Sequence, residues 1–350
     1  MKFEGSADGT VFTTAPSHFH HLLVNKVVTR DLLERLYESD HSGNSTALTR
    51  DGTLSLSGTS YFTVNGDFTI QNANMVYLAN HFQSLDGGNI IITAGTFNIS
   101  NYQCKTSGNI TVSGELQIHP MGSLQIGANK TLSINNGGLF QSLGSLANYA
   151  TVTRSGTTGT YVFNVESGGT IGAYNTIFEY MGTNGINVKN GALVDGANAF
   201  TYCTFRNGAS GGKLLTINNN QTFSIDNALF PANTWGGTYN VSKTANQGHV
   251  TFTNFSGDFS GSSFEQDAYN RIDWEVAGVP EITDLMIERY GVNNIRLYWT
   301  YPHPFTNFKI YASDSPEGPF THVATSVITQ WNGSATNPRA FYRVTAVLEP

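Results

Sequence analysis

The chain has 350 residues, of which only 12% are charged, and its net charge is −7. This charged share is about half that of an ordinary soluble domain. The basic residues are scattered, so no electrostatic footprint indicates nucleic acid or an anionic membrane surface, and no apolar run is long enough to predict a membrane span. Gly (37 copies), Asn, Ser and Thr replace the charges, together with 22 Phe and 16 Tyr. That composition excludes a disordered chain and favours short strands closed by polar turns.

The N-terminus, MKFEGSADGT, has no apolar stretch after Lys2 and is therefore not a signal peptide. We expect the sequence to be a fragment of a larger secreted chain that begins inside a coil, with Met1 added. Residues 10–27 read as strand pieces, with Phe19, Leu22 and Val24 at the apolar positions.

One helical stretch follows, and it is predicted over about residues 30–38. Thr29 is a suitable N-cap, and Leu32, Leu33 and Leu36 line one side of the helix. A solenoid exposes unpaired backbone groups and an open core at its first coil. We therefore predict that this helix caps the N-terminal end, with a loop inserted between coils as the alternative.

Strand patterns run almost continuously from Thr53, and the clearest block lies between Gly108 and Gly144. It contains aliphatic pairs two residues apart, which place both side chains on one strand face: Ile110 and Val112, Leu116 and Ile118, Leu124 and Ile126, and Leu132 and Ile134. The last three pairs recur every eight residues, while Ile90 and Ile92 reappear 20 residues later as Ile110 and Val112. Short strands with a coil length near 20 predict a parallel β-helix. The same spacing aligns Glu115 with Thr96, Ser123 and Thr131.

Beyond Ala150 the predicted coils lengthen but keep their register. Three of them end in an aromatic residue, at Phe178, Phe205 and Phe230. We predict that these rings stack along the interior, because they share parity with neighbouring aliphatic residues. The alternative is an exposed aromatic platform for sugar rings.

The segment Tyr-Cys-Thr-Phe-Arg-Asn-Gly at 202–208 carries the most specific family likeness. With the coil pattern from about Phe3 to Trp274, it resembles the right-handed parallel β-helix regions of large secreted bacterial surface proteins. The resemblance implies an all-β fold and a β-helix domain over 1–276. Many unrelated functions share this architecture.

A linker, Ala277-Gly-Val-Pro280, precedes a region of different character at 280–350. Period-2 alternation with a turn every ten residues predicts a small antiparallel sandwich. The region resembles a fibronectin type III module that lacks one edge strand. The likeness rests on Pro280, Trp299, Tyr311, Tyr342 and Val344.

Few residues are arranged for chemistry. A glycan-cleaving site needs carboxylates on adjacent coils, but the pattern stacks only opposite charges: Glu166 with Lys189, and Glu179 with Arg206. We therefore assign no catalytic residue. His18, His20 and His21 make at best a weak metal site without a nearby Cys or carboxylate, so neither a metal nor a cofactor is expected.

The two cysteines provide a test of the fold. Cys104 and Cys203 lie about four coils, and therefore on the order of 20 Å, apart, so they cannot form a disulfide. We expect Cys203 to be buried and Cys104, in a polar segment, to be the more accessible.

The leading functional hypothesis is a non-catalytic extracellular or cell-surface bacterial protein. Its β-helix would be a stiff structural or adhesive rod that binds a glycan or protein neighbour or associates end to end. Two alternatives stay open: a polysaccharide-binding module, and a polysaccharide lyase or glycoside hydrolase acting in a groove of the β-helix. An exposed aromatic row would favour binding, and aligned acids would favour cleavage.

Overall fold

The computed structural model of the chain describes residues 2–7, 9–13, 18–19, 22–28, 45–47, 53–58, 61–71, 73–275, 282, 284–289, 294–300, 306–316, 320–334 and 340–348, with only the backbone before Leu54. By its internal contacts the chain divides into two units, Met1–Glu275 and Val276–Pro350. The helix predicted at 30–38 lies outside the described residues.

Unit 1 is built almost entirely of short strands. In chain order these are β1 (Lys2–Ala7), β2 (Gly9–Thr13), β3 (His18–Phe19), β4 (Leu22–Val28), β5 (Ser45–Ala47), β6 (Thr53–Gly58), β7 (Phe62–Val64), β8 (Phe68–Gln71), β9 (Ala73–Leu78), β10 (Phe82–Ser84), β11 (Ile90–Ile92), β12 (Gly95–Asn98), β13 (Gln103–Thr106), β14 (Ile110–Val112), β15 (Glu115–Ile118) and β16 (Ser123–Ile126). They continue as β17 (Thr131–Ile134), β18 (Leu139–Leu143), β19 (Ala150–Arg154), β20 (Tyr161–Val165), β21 (Thr170–Tyr174), β22 (Thr176–Glu179), β23 (Met181–Val188), β24 (Leu193–Thr201), β25 (Thr204–Arg206), β26 (Leu215–Ile217), β27 (Thr222–Asp226), β28 (Val241–Lys243), β29 (His249–Thr253), β30 (Glu265–Asp267) and β31 (Ile272–Glu275), with a 3₁₀ turn at Ser262–Phe264.

These strands form three long sheets that the chain visits in turn. Sheet A has eleven strands in the order β1-β4-β8-β11-β14-β17-β20-β23-β26-β28-β30, sheet B has nine in the order β24-β21-β18-β15-β12-β9-β6-β2-β5, and sheet C has eight in the order β25-β22-β19-β16-β13-β10-β7-β3. All pairings within them are parallel except that of β2 with β5. A small sheet, β27-β29-β31, follows in the last coils. Unit 1 is therefore a right-handed parallel β-solenoid, as the sequence predicts.

The predicted register is confirmed in the central coils. Ile90 pairs with Ile110 and Ile92 with Val112, as the 20-residue repeat requires. The aliphatic pairs of the central block are all buried, whereas the side chains between them, such as Gln117 and Gln125, are partly exposed on the outer faces. Alternation along each strand thus separates one continuous core from the solvent.

The eight-residue recurrence of aliphatic pairs does not correspond to the length of one coil. Leu116, Leu124 and Leu132 lie on sheets B, C and A, so eight residues carry the chain from one face to the next. Glu115 therefore pairs with Thr96 and Leu139. Its predicted alignment with Ser123 and Thr131 is wrong.

The rings of Phe178, Phe205 and Phe230 stack in the interior, as predicted. Successive ring centroids lie 5.6 and 5.2 Å apart, both at an interplanar angle of 15°, and all three side chains are fully buried. The column ends at Trp274, whose ring lies 6.0 Å from Phe230 and stacks on Phe252 at 4.1 Å. These offset and tilted contacts add to the hydrophobic gain from burying the rings.

Both cysteines are free thiols, and both are fully buried. The expectation that Cys104 is accessible is therefore wrong. Cys104 is the second residue of β13 and pairs with Phe82 and Leu124, so alternation turns it into the core. Burial raises the pKa of both thiols, which keeps them protonated and unreactive.

Glycines permit the closest approach between coils at the turn from sheet C to sheet A. A Cβ atom on Gly108 would lie 2.2 Å from the carbonyl oxygen of Gly88 in the preceding coil. Only a residue without a side chain fits this stacking of backbone on backbone.

Unit 2 consists of two antiparallel sheets. The strands are β32 (Met286–Arg289), β33 (Asn294–Tyr298), β34 (Thr306–Ser313), β35 (Thr321–Ser326), β36 (Gln330–Ser334) and β37 (Phe341–Leu348). Their orders are β32-β33-β36 and β35-β34-β37. The buried core of this unit contains Leu297, Trp299, Phe308, Ile310 and Val344.

Candidate functional site: an aromatic row along one corner

The corner between sheets B and C carries a row of large side chains on successive coils. Seven consecutive strands of sheet C, from β7 to β25, are each preceded within two residues by an aromatic residue or methionine. We call these residues the corner row: Tyr61, His81, Tyr102, Met121, Tyr149, Tyr174 and Tyr202. At about 4.8 Å per coil, the row extends roughly 29 Å along the solenoid axis.

The first three members of the row form a contiguous ring cluster. The His81 ring lies 5.3 Å from the Tyr61 ring and meets the Tyr102 ring edge-on at 5.8 Å. The Tyr61 hydroxyl donates to the Gln103 amide oxygen two coils further on. His81 is exposed, and both tyrosines are partly exposed. This end of the row is thus a fixed apolar surface with polar atoms at its edges.

The middle of the row projects furthest into solvent. Met121 is 64% exposed and Tyr149 is 52% exposed, and the Met121 backbone N–H donates to the Tyr149 carbonyl at 2.8 Å. A short loop before Tyr149 is closed by reciprocal backbone bonds between Ser145 and Asn148, and it leaves Leu146 73% exposed. The chain therefore presents apolar surface to water at this point without a partner among the described residues.

The row ends in a second ring pair. Tyr174 and Tyr202 meet edge-on at a centroid distance of 5.7 Å. Burial raises the pKa of Tyr202, and the nearby Asp226 carboxylate and Tyr174 raise it further. The Tyr202 phenol therefore stays neutral and able to donate a hydrogen bond.

Two columns of polar side chains, all uncharged except Lys105, flank the corner row. On sheet B, paired positions place Tyr77, Asn98, Gln117 and Gln141 one above another. On sheet C the corresponding column is Gln83, Lys105, Gln125 and Thr153. Amide and hydroxyl groups with spare hydrogen-bonding capacity therefore border an apolar strip on both sides.

The stacked ion pairs predicted from the sequence are present. Lys189 Nζ lies 2.6 Å from Glu166 Oε1, and Arg206 Nε lies 2.8 Å from Glu179 Oε2. The Glu179 carboxylate also accepts a bond from Thr153 at 3.0 Å. Each acid thus faces a cation or a hydroxyl, and each pair is at least partly exposed, which limits its contribution to about 1 kcal/mol or less.

Carboxylates do not stack along the described strand ladders, although in the last coils burial raises the pKa of Glu265 and the nearby Asp267 and Asp273 raise it further. Nowhere in those ladders do two acids occupy one register position on neighbouring coils. Within the described part of the chain, no group of three His, Cys, Asp or Glu side chains could hold a metal ion. The side chains of His18, His20 and His21 lie outside that part.

A second polar cluster occupies the last coils. Buried Lys243 donates to the Asn219 carbonyl at 3.0 Å, and burial lowers the Lys243 pKa although Asp267, its register neighbour, opposes the shift. Asp267 in turn accepts the backbone N–H of Tyr269, in the turn before β31, at 3.2 Å and that of Ile272, the first residue of β31, at 2.8 Å. The hydrogen bonds of this cluster thus stabilise a turn and one buried amine.

The corner row was not identified from the sequence. The sequence patterns of interior phenylalanines and stacked acids do not include it, because the row consists of residues at strand boundaries. An aromatic residue or methionine within two residues before each strand from β7 to β25 of sheet C is the signal that could have found it.

Comparison of the chain with known protein families, with curated proteins and with solved structures finds no match. None of the helices in the described part is long and apolar enough to cross a membrane.

Proposed function

We propose that the chain is part of an extracellular bacterial surface or matrix protein whose β-solenoid is a non-catalytic rod. In this proposal the corner row binds an extended polysaccharide that lies parallel to the solenoid axis. The observation that carries the proposal is the run of seven large side chains on consecutive coils, from Tyr61 to Tyr202.

The chemistry of the row suits a sugar polymer. The C–H faces of pyranose rings pack against apolar carbon, while hydroxyl groups seek donors and acceptors at the edge of the same surface. Tyrosine offers both in one rigid side chain, and the flanking columns add amides such as Gln117 and Gln125. A repeat of about 4.8 Å along the axis lets one ligand chain contact several coils.

Within the described ladders, the lack of acids stacked on neighbouring coils favours binding over cleavage. A retaining or inverting glycosidase needs two carboxyl groups a few ångströms apart across the bond that it breaks. The described ladders instead set Glu166 against Lys189 and Glu179 against Arg206. The middle of the row, at Met121 and Tyr149, projects into solvent, where a ligand can be held without being enclosed.

The topology of unit 2 supports the extracellular assignment. Sheets ordered first-second-fifth and fourth-third-sixth correspond to a fibronectin type III module without its last strand. We propose this identity for unit 2 and expect it to be a spacer in a multidomain surface protein.

The test is binding of the full chain to a panel of soluble polysaccharides, measured by affinity electrophoresis and calorimetry. Tyr149→Ala should weaken binding about fivefold, which corresponds to roughly 1 kcal/mol for one aromatic contact. Tyr269→Ala is the matched control, since Tyr269 is 53% exposed but lies outside the row, between β30 and β31. Equal losses in the two variants would refute the assignment of the site. Turnover of pectin or alginate by the wild-type chain would refute the non-catalytic role.

A further inference from the structure

The hydrogen bonds around His81 fix its tautomer. His81 Nδ1 lies 3.0 Å from the backbone nitrogen of Gln103. A backbone N–H can only donate, so Nδ1 accepts this bond and the ring proton must be on Nε2. The ring is exposed and lies between the rings of Tyr61 and Tyr102. An N–H donor is therefore held between two aromatic surfaces.

His119 lies beside the corner row, in the turn between β15 and β16, and is fixed in the opposite tautomer. Asn98 Oδ1 accepts the backbone N–H of Ser100 at 2.7 Å, which sets the orientation of the Asn98 amide. Its Nδ2 donates to Gln117 at 3.2 Å and lies 3.1 Å from His119 Nε2. Because the amide NH₂ cannot accept, Nε2 is the acceptor and Nδ1 carries the proton.

The surroundings of both imidazoles carry little net charge. Six strands lie beside the imidazoles: β9, β12 and β15 of sheet B, and β7, β10 and β13 of sheet C. The charged side chains on their outer faces are Glu115 and Lys105. Both oxygens of Glu115 are engaged, by Thr96 at 2.9 Å and by Gln117 at 2.7 Å. Glu115 and Lys105 have opposite signs and lie on different sheets. The corner around the two imidazoles thus offers hydrogen-bond donors and no concentrated charge.

We propose that the corner row selects a neutral polysaccharide over a polyuronate. His81 Nε2–H and His119 Nδ1–H donate to hydroxyl or ring oxygens of the bound sugar. This inference rests on the proposed function, and it names the class of ligand that the N-terminal half of the row takes. A polyuronate would place a carboxylate on every sugar, and among the described residues of these strands only Lys105 offers a positive charge to compensate for its desolvation.

Calorimetry with two oligosaccharide hexamers tests the ligand class. Cellohexaose represents neutral chains, and hexagalacturonate represents acidic ones. Each is titrated into the full chain at 20 and 500 mM NaCl. We expect measurable binding of cellohexaose whose Kd changes less than about twofold between the two salt concentrations, because exposed charge pairs are strongly screened and neutral hydrogen bonds are not. Tighter binding of hexagalacturonate, weakened by salt, would overturn the inference while leaving the proposed function intact. No binding of either hexamer would contradict both.

A second experiment tests the role of His81 and His119 as hydrogen-bond donors. His81→Phe keeps an aromatic ring at the same place but removes the N–H, and it should weaken cellohexaose binding about fivefold or more. His249→Phe, in β29, is the matched control and should have no effect. Two-bond ¹⁵N–¹H spectra of the unliganded chain should show the Nε2–H tautomer for His81 and the Nδ1–H tautomer for His119. The reverse tautomers, or an unchanged Kd for His81→Phe, would refute the assignment of these donors.

Discussion

Truncation of the central ring in the phenylalanine column should destabilise the solenoid strongly. Phe205 is fully buried between Phe178 and Phe230, with ring centroids 5.6 and 5.2 Å away, and it also lies 5.9 Å from Phe200. Loss of a buried phenyl group typically costs about 3–5 kcal/mol when the cavity cannot collapse. Two stacked neighbours each lose a contact that is worth about 0.5–1.5 kcal/mol. Because these lost contacts are part of that total, they place Phe205→Ala in the upper part of the range, and we expect it to lower the free energy of unfolding by about 4–5 kcal/mol.

The measurement is urea unfolding followed by tryptophan fluorescence. Trp274 contacts Phe230 at the end of the column and reports on these coils. Solenoids can unfold in segments, so the local transition is the quantity to compare. Val162→Ala is a suitable control, because Val162 is 41% exposed on β20 and its loss should change stability by no more than about 0.5 kcal/mol. A loss below about 1 kcal/mol for Phe205→Ala would refute the claim that the column is part of a tightly packed core.

Three further outcomes test the register, the thiols and the surface pairs. Ile126→Asp should place an unpaired charge in the core and cost several kcal/mol, whereas Gln125→Asp, one residue earlier on the outer face, should be nearly neutral; comparable melting temperatures would contradict the register. Cys104 and Cys203 should both resist a thiol reagent at pH 8 until the chain is denatured, because burial raises the pKa of each thiol, and rapid native labelling of either would contradict its position. Glu166→Ala should cost less than about 1 kcal/mol in thermal unfolding, since its ion pair is partly exposed, and a larger loss would show a structural role that the geometry does not suggest.

Sequence periodicity predicted the core because each coil repeats the same physical constraint. Ile90 and Ile110 occupy equivalent strand positions between equivalent turns, so the repeat directly gives their contact. The eight-residue recurrence of aliphatic pairs has two interpretations. The same spacing results if successive pairs stack on one sheet or if they lie on adjacent sheets of one coil. Only the strand pairing between complete coils distinguishes these alternatives. For this reason two of the three partners predicted for Glu115, Ser123 and Thr131, are wrong.

The corner row and Cys104 show the limits of the same reasoning. Tyr102 and Cys104 lie in one polar segment, SNYQCKTSG, which contains no aliphatic residue to set its parity. The strand boundary at Gln103 determines that Cys104 points inward and that Tyr102 stays at the corner. Strand boundaries depend on pairing with neighbouring coils, here Phe82 and Leu124, and these contacts are distant in sequence.

The parallel ladders also have a mechanical consequence. Hydrogen bonds between coils run along the solenoid axis, so tension applied between the ends of unit 1 loads successive coils in series, one ladder after another. Coils would then peel off singly, each releasing its own length of chain. A coil of 20 residues, as from Asn89 to Asn109, would add about 70 Å of extended backbone. A ligand lying across several coils of the corner row would tie those coils together, and it would convert stepwise peeling into the simultaneous rupture of every coil that it spans.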